Sequence, residues 1–108
     1  MTSRLFVYGS LAPGKANEHV LADVPGTWAP ATVKGRLLPE GWGAAMGYPG
    51  IMLDEAGEEV EGALFSSDRL AEHWARLDEF EGDGYERVLT KATLKDGVTV
   101  DAYIYRVR

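Results

Sequence analysis

Two short segments of this sequence contain residue types that can bind and activate a small polar substrate. The first is Tyr8, Gly9, Ser10 and Leu11, which end an apolar run typical of a buried strand. Glycine lets the backbone turn sharply there and leaves amide N–H groups unpaired at the rim of the sheet. Such donors bind a carboxylate or a developing oxyanion. A plain turn is the alternative interpretation of the same four residues.

The second segment is an acidic cluster at the end of a predicted helix. Within it, Glu81 directly follows the apolar Phe80 and precedes a glycine. The negative end of the helix dipole and the apolar neighbour both disfavour ionisation, so we expect the pKa of Glu81 to be raised, as a base that works near neutral pH requires. A solvated glutamate is the alternative, and the pattern also leaves Asp78 and Glu79 open as the working acid.

Tyr85 and Arg87, which follow this cluster in the sequence, are candidates for the same site. Tyr85 and Arg87 are two positions apart on a predicted strand, so their side chains point to one face of the sheet. We expect Glu81 to lie on that face. An ion pair with Asp78 or Glu86 is the alternative role for Arg87.

A glycine-rich segment, residues 41–50, supplies two further pocket candidates, Trp42 and Tyr48. The segment is too apolar for a solvated linker and too rich in glycine for a helix, so we expect a packed, irregular loop of the kind that lines a site. Trp28 and Trp74 are predicted to lie in the core instead. Trp74 falls on the apolar stripe of a helix.

The composition excludes several kinds of chemistry. The chain has no cysteine, which rules out thiolate nucleophiles and disulfides. Neither His19 nor His73 has a second histidine at ligand spacing, so we predict no metal site. Ser10 does not fit the glycine pattern of a nucleophile elbow, and no phosphate-binding Walker pattern occurs.

The charge and the hydropathy limit the classes of partner that the protein can bind. There are 17 Asp plus Glu against 11 Lys plus Arg, a net charge of -6. This balance argues against general nucleic-acid binding, which needs clustered cations to neutralise phosphates. No apolar run is long enough to cross a bilayer or to act as a signal sequence, so we expect a cytoplasmic protein with no membrane partner.

The elements that must position these residues are mostly strands. One firm helix is predicted to begin at Ser67 or Asp68, and a short one spans residues 17–21 with Asn17 as its cap. Residues 27–38 read as one or two strands interrupted near Gly35. The other strands are predicted at 5–8, 51–53, 60–65, 88–94 and 98–107.

Two pairs of these strands are predicted to form hairpins. One surrounds residues 55–58, and the other surrounds the Asp96-Gly97 turn. Strands dominate, so we predict a single domain over residues 1–108 of the α+β class, with a barrel-like, largely antiparallel sheet and one or two helices.

Four motifs, in a fixed order along essentially the whole chain, resemble the gamma-glutamylcyclotransferase-like family. Each motif alone is weak, but their ordered combination is specific. They are Phe6-Val7-Tyr8-Gly9-Ser10-Leu11, Tyr48-Pro49-Gly50, Val60-Glu61-Gly62, and Leu77-Asp78-Glu79-Phe80-Glu81-Gly82 followed by Tyr85 and Arg87.

The resemblance implies a small mixed β-barrel in which the loop after the first strand is one wall of a pocket. The backbone amides of residues 8–11 would bind the substrate, and Glu81, rather than Glu79, would be the general acid/base. The implied reaction is an intramolecular aminolysis that needs no cofactor and converts a gamma-glutamyl amine or peptide to 5-oxoproline and a free amine.

The expected partner is therefore a small-molecule gamma-glutamyl substrate, bound by a monomer or a homodimer. A second hypothesis from another class is a non-catalytic module that uses the same pocket for a small ligand or a protein. Product release from a gamma-glutamyl compound discriminates the two.

Overall fold

The computed structural model describes residues 2–8, 19–22, 24–38, 50–81 and 85–107. A 3-10 turn, Leu70–His73, leads directly into the second of the two α-helices found in these ranges. The strands are β1 (Ser3–Val7), β2 (Thr27–Leu38), β3 (Gly50–Leu53), β4 (Glu58–Ser67), β5 (Tyr85–Leu94) and β6 (Thr99–Val107), and the helices are α1 (His19–Ala22) and α2 (Trp74–Glu81).

Five of the strands close into a barrel. Around it, β2 pairs with β4, β4 with β1, β1 with β6, β6 with β5, and β5 pairs back with β2. The β1–β6 contact is parallel and the other pairings are antiparallel. The remaining strand, β3, pairs with the end of β2. The predicted fold class, a small mixed and largely antiparallel β-barrel with helices beside it, is confirmed.

The predicted interruption near Gly35 is wrong, because β2 runs unbroken through it. Gly35 is opposite both Leu53 of β3 and Glu58 of β4. A Cβ atom at this position would lie 2.6 Å from the carbonyl oxygen of Met52. The glycine therefore allows a close approach of the neighbouring backbone, and glycine inside a strand can mark such an approach as well as an interruption.

The predicted hairpin of β3 and β4 is also wrong in its pairing. The turn exists, since the Gly57 N–H donates to the Asp54 carbonyl at 2.8 Å. The strands on either side of it pair with β2 rather than with each other within the described residues. β3 and β4 lie on opposite sides of β2 and both run antiparallel to it, so the turn does not fold one strand back onto the other.

The β5–β6 hairpin is confirmed. Gly97 has φ of +88°, the left-handed conformation that the Asp-Gly signal predicts. Its N–H donates to the Leu94 carbonyl at 2.9 Å, and the Asp96 carboxylate accepts the Val98 N–H at 3.0 Å. The register that follows sets Arg87 opposite Tyr105.

The segment before α2, residues 67–73, differs from the simple capped helix that the pattern predicts. The Ser67 hydroxyl accepts the Arg69 N–H at 3.0 Å and donates to the Pro25 carbonyl, and the first turn after it is the 3-10 turn. The apolar stripe is as predicted, with Leu70 and Leu77 fully buried. The other predicted helix, residues 17–21, corresponds to α1, which spans His19–Ala22. Its proposed cap, Asn17, lies outside the described residues.

The alternation of side chains along the strands divides the core into two clusters, which meet across β1. The helix-side cluster comprises Leu5, Val7, Leu21, Val24, Phe65, Leu70, Leu77, Tyr85 and Tyr105. The barrel cluster comprises Phe6, Ala31, Val33, Ile51, Val60, Leu64, Ala92, Ala102 and Ile104.

The two described tryptophans lie at the edge of the core rather than within it. Trp28 is 37% exposed and its ring lies 4.7 Å from that of Phe65, so its predicted core position is wrong. Trp74 is partly buried against the helix-side cluster, on the stripe where it was predicted.

Candidate active site

Tyr8 is the described residue that leads into the predicted substrate loop. It follows the last residue of β1, and its ring stacks on Phe6 at 6.4 Å between centroids. Its hydroxyl donates to the backbone carbonyl of Tyr105 at 2.7 Å, which ties the end of β1 to β6. The other predicted loop residues, Gly9, Ser10 and Leu11, lie outside the described residues, so their role stays a prediction.

Tyr105 connects this point to helix α2. Its side chain is buried in the helix-side cluster, and its hydroxyl donates to Asp78 Oδ1 at 2.6 Å. The backbone of one residue in β6 therefore accepts from Tyr8, while the side chain of the same residue donates to the helix.

Asp78 also binds Arg87, the first of the two ion-pair partners considered for this arginine. Nε of Arg87 donates to Asp78 Oδ1 at 2.9 Å and Nη2 donates to Oδ2 at 3.3 Å, the bidentate geometry that suits a guanidinium and a carboxylate. Glu86 pairs instead with Arg106 at 3.3 Å. We call Tyr8, Tyr105, Asp78 and Arg87 the Asp78 network.

Two aromatic rings support the guanidinium of Arg87. Its central carbon lies 4.4 Å from the ring centroid of Trp74 and 5.3 Å from that of Tyr103. The two rings meet edge to face at 5.1 Å. Cation–π attraction and the ion pair together hold the arginine in one orientation.

The network sets the protonation state of Asp78. Hydrogen bonds from Arg87 hold the pKa of this carboxyl below its ordinary value, and the Tyr105 hydroxyl and the positive charge of Arg87 act in the same direction against the effect of burial. Asp78 is therefore ionised near neutral pH and is a weak base there. This argues against Asp78 as the working acid.

Glu81 is the last residue of α2, as the sequence pattern predicts for the end of this helix. It lies three residues after Asp78, less than one helical turn, so the contacts of Asp78 constrain the backbone that carries it. The structure describes its backbone but not its side chain, and its role as general acid/base stays a prediction. Glu79 is solvent-exposed.

Tyr85, the predicted substrate contact on β5, is 7% exposed and packs in the helix-side cluster with Leu77 and Tyr105. The structure thus places Tyr85 and Arg87 on the helix side of the sheet, where Tyr105 meets α2. The Tyr8 ring instead packs against the barrel cluster, and its hydroxyl reaches the backbone of β6. Trp42 and Tyr48 lie outside the described residues, and their pocket role stays a prediction.

Sequence reasoning missed Tyr105. A signal for it was present: the Asp-Gly turn fixes the hairpin register, and counting outward from that turn sets Arg87 opposite Tyr105. The same count sets Leu89 opposite Tyr103, one of the two rings under the guanidinium.

Metal-binding clusters and membrane-spanning helices are both absent from the described ranges. No group of three or more His, Cys, Asp or Glu side chains there is arranged to hold a metal ion. None of the helices in the described part is both long and apolar enough to span a membrane.

Comparisons with known proteins agree with this fold. Residues 5–108 match the family described as gamma-glutamyl cyclotransferase, AIG2-like. A solved structure of YkqA from Bacillus subtilis is 30% identical with a TM-score of 0.74, and the match covers 100% of this chain but 36% of that protein. No protein among the curated sequences compared matches the chain.

Two further solved structures show the same fold. An AIG2-like protein from Mus musculus has a TM-score of 0.77 at 20% identity, with 98% of this chain and 77% of the other covered. A gamma-glutamyl cyclotransferase has a TM-score of 0.74, also at 20% identity, with 100% of this chain and 68% of the other covered.

Proposed function

We propose that this chain, which belongs to the gamma-glutamyl cyclotransferase, AIG2-like family, converts a gamma-glutamyl amine or peptide to 5-oxoproline and a free amine. One structural observation carries the proposal. Tyr105 binds both Tyr8, which leads into the predicted substrate loop, and Asp78, which lies three residues before Glu81. The two segments that the sequence singled out for chemistry therefore have a common anchor on β6.

The reaction uses a nucleophile from the substrate itself. The α-amine of the gamma-glutamyl group attacks the γ-carbonyl carbon, a C–N bond forms, and the carbonyl becomes an oxyanion. Collapse of this intermediate breaks the original amide bond and releases the amine. The protein must hold the chain of the substrate in a ring-like conformation, which converts binding energy into proximity.

Glu81 carries the proton in this proposal. The substrate's α-ammonium first loses a proton to solvent and becomes the nucleophilic amine. Glu81 accepts the second proton, which this nitrogen loses as the C–N bond forms, and passes it to the departing amine, so that one carboxyl acts first as base and then as acid. The low pKa of Asp78 and its bonds to two donors support this assignment over Asp78. The resemblance to the family, whose catalytic glutamate maps onto Glu81, supports it over Glu79.

The backbone amides of residues 8–11 bind the oxyanion in this proposal. Removing one donor from such a site in other enzymes costs about 3–4 kcal/mol of transition-state stabilisation. Tyr8 contributes by holding the start of the loop on β6, and Tyr85 by contacting the substrate.

The test is a screen of gamma-glutamyl amines, gamma-glutamyl dipeptides and glutathione, scored by 5-oxoproline release. We expect turnover of at least one class by the wild-type protein. The rival hypothesis, a non-catalytic binding module, predicts that some of these compounds raise the melting temperature while none releases 5-oxoproline. That second result would overturn the proposal.

A further inference from the structure

The ion pair between Asp78 and Arg87 joins different parts of the fold, unlike its neighbour in the same hairpin. Glu86 and Arg106 pair across β5 and β6, which the backbone ladder already holds together, since the two residues are opposite each other in the register. Arg87, one residue later, reaches from β5 to Asp78 on α2. Only the second pair fixes the position of a helix.

Apolar packing alone leaves that position loosely defined. Leu77 anchors α2 in the helix-side cluster with no exposed surface, but hydrophobic contact is non-directional. Hydrogen bonds constrain both distance and angle. Asp78, the next residue, accepts from the Arg87 guanidinium and the Tyr105 hydroxyl, which come from two different strands. Together these donors define the rotation and the height of the helix end.

The arrangement of Arg87 is itself constrained. The Trp74 ring that lies 4.4 Å from its guanidinium belongs to the first residue of α2, so the helix contacts this arginine at Trp74 and at Asp78. The Tyr103 ring supports it from β6. A flexible surface arginine would not hold a helix, but one that lies against two rings and is bound at two nitrogens does.

We propose that Asp78 and Arg87 are positioning residues that set the end of α2, and with it Glu81, relative to the end of β1. This inference rests on the proposed function, since it assigns the purpose of the positioning to proton transfer at Glu81. A misplacement of about 1 Å in a reacting group costs on the order of a hundredfold in rate. Loss of the ion pair should therefore lower kcat while substrate binding persists.

The experiment measures kcat and KM for 5-oxoproline release by Asp78→Asn, with Glu86→Gln as the matched control. Both changes replace a carboxylate of a half-exposed ion pair by an isosteric amide. We expect Asp78→Asn to lower kcat about tenfold or more with KM within about twofold. We expect Glu86→Gln to stay within about twofold in both constants.

A double substitution separates positioning from general destabilisation. If Asp78 and Arg87 act as one unit, Asp78→Asn combined with Arg87→Gln should lose no more kcat than the worse single variant. Asp78→Asn combined with Glu86→Gln should show the product of the two separate effects. Equal kcat for Asp78→Asn and wild type, or additive effects of Asp78→Asn and Arg87→Gln, would overturn the inference.

A second measurement tests whether the ion pair holds the end of α2 without relying on activity. It is needed if the wild-type protein releases no 5-oxoproline, a result that would contradict the proposed function rather than this inference. Amide hydrogen exchange reports local opening of the helix end. We expect the amides of residues 79–81 to exchange at least about tenfold faster in Asp78→Asn and unchanged in Glu86→Gln. Equal protection in both variants would mean that the ion pair does not hold the helix.

Discussion

The two core clusters differ in what their buried side chains can do. The barrel cluster is drawn from all six described strands and consists entirely of aliphatic residues and one phenylalanine. The helix-side cluster includes Tyr85 and Tyr105, and the Tyr105 hydroxyl reaches a charged pair at its rim. Both clusters exclude water, and in the described ranges the helix-side cluster donates a directional bond, from Tyr105, to the helix that carries Glu81.

Strand β6 shows this difference within two residues. Ile104 points into the barrel cluster and Tyr105 into the helix-side cluster. Because neighbouring side chains on a strand face opposite ways, one strand contributes to barrel stability on one face and to the candidate site on the other. Substitutions at the two positions should therefore separate stability from activity.

The largest loss of stability is expected at Ile104. This side chain is fully buried, and Ile104→Ala removes its contacts and leaves a cavity. The free energy of unfolding should fall by about 2–5 kcal/mol. Denaturant unfolding measures this, and turnover per folded molecule should stay close to wild type. A loss of stability below about 1 kcal/mol would show that the barrel cluster repacks freely.

A smaller loss of stability with a larger loss of activity is expected at Tyr105. The change Tyr105→Phe keeps the ring and leaves the backbone bond to Tyr8 intact, but it removes the donor to Asp78. We expect about 1 kcal/mol less stability, the usual net value of one hydrogen bond. 5-Oxoproline release should also slow severalfold. Tyr103→Phe is the matched control. An equal loss of activity in both variants would show that the bond from Tyr105 to Asp78 has no specific role in activity.

The smallest effect is a pH dependence of stability that Asp78 contributes. Because the folded-state pKa of Asp78 lies below its ordinary value of 3.8, this stabilisation is fully present above that value and is lost as the pH falls through the folded pKa. Wild type should exceed Asp78→Asn in unfolding free energy at neutral pH. The difference should shrink as the pH falls below 3.8 and through the folded-state pKa. A difference that is constant with pH would rule out this ionisation as its source.

Much of the fold could be predicted from sequence because its signals are local. The alternation and the Asp-Gly turn defined the β5–β6 hairpin, and the spacing of Leu70 and Leu77 predicted the buried stripe that runs along the 3-10 turn and α2. Pairing between distant segments carries no such signal. A turn before β4 favours a hairpin by propensity, but β3 and β4 lie on opposite sides of β2 and each pairs with it instead.

The candidate site could be predicted in part for the same reason. Glu81 at the end of the helix and the alternative pairing of Arg87 with Asp78 follow from local pattern. Tyr105 does not, since its role depends on two contacts at long range, one to β1 and one to α2. The side-chain bonds that join three elements form only once the barrel has closed.

The most direct test of the account compares Glu81→Gln with Glu79→Gln on the best substrate found in the screen. The two glutamates lie two residues apart on α2, so the pair controls for any general effect on the helix. Glu81→Gln should lower kcat for 5-oxoproline release by about a hundredfold or more, the scale of general acid–base catalysis, while Glu79→Gln keeps nearly full activity. Full activity in Glu81→Gln would contradict the central claim.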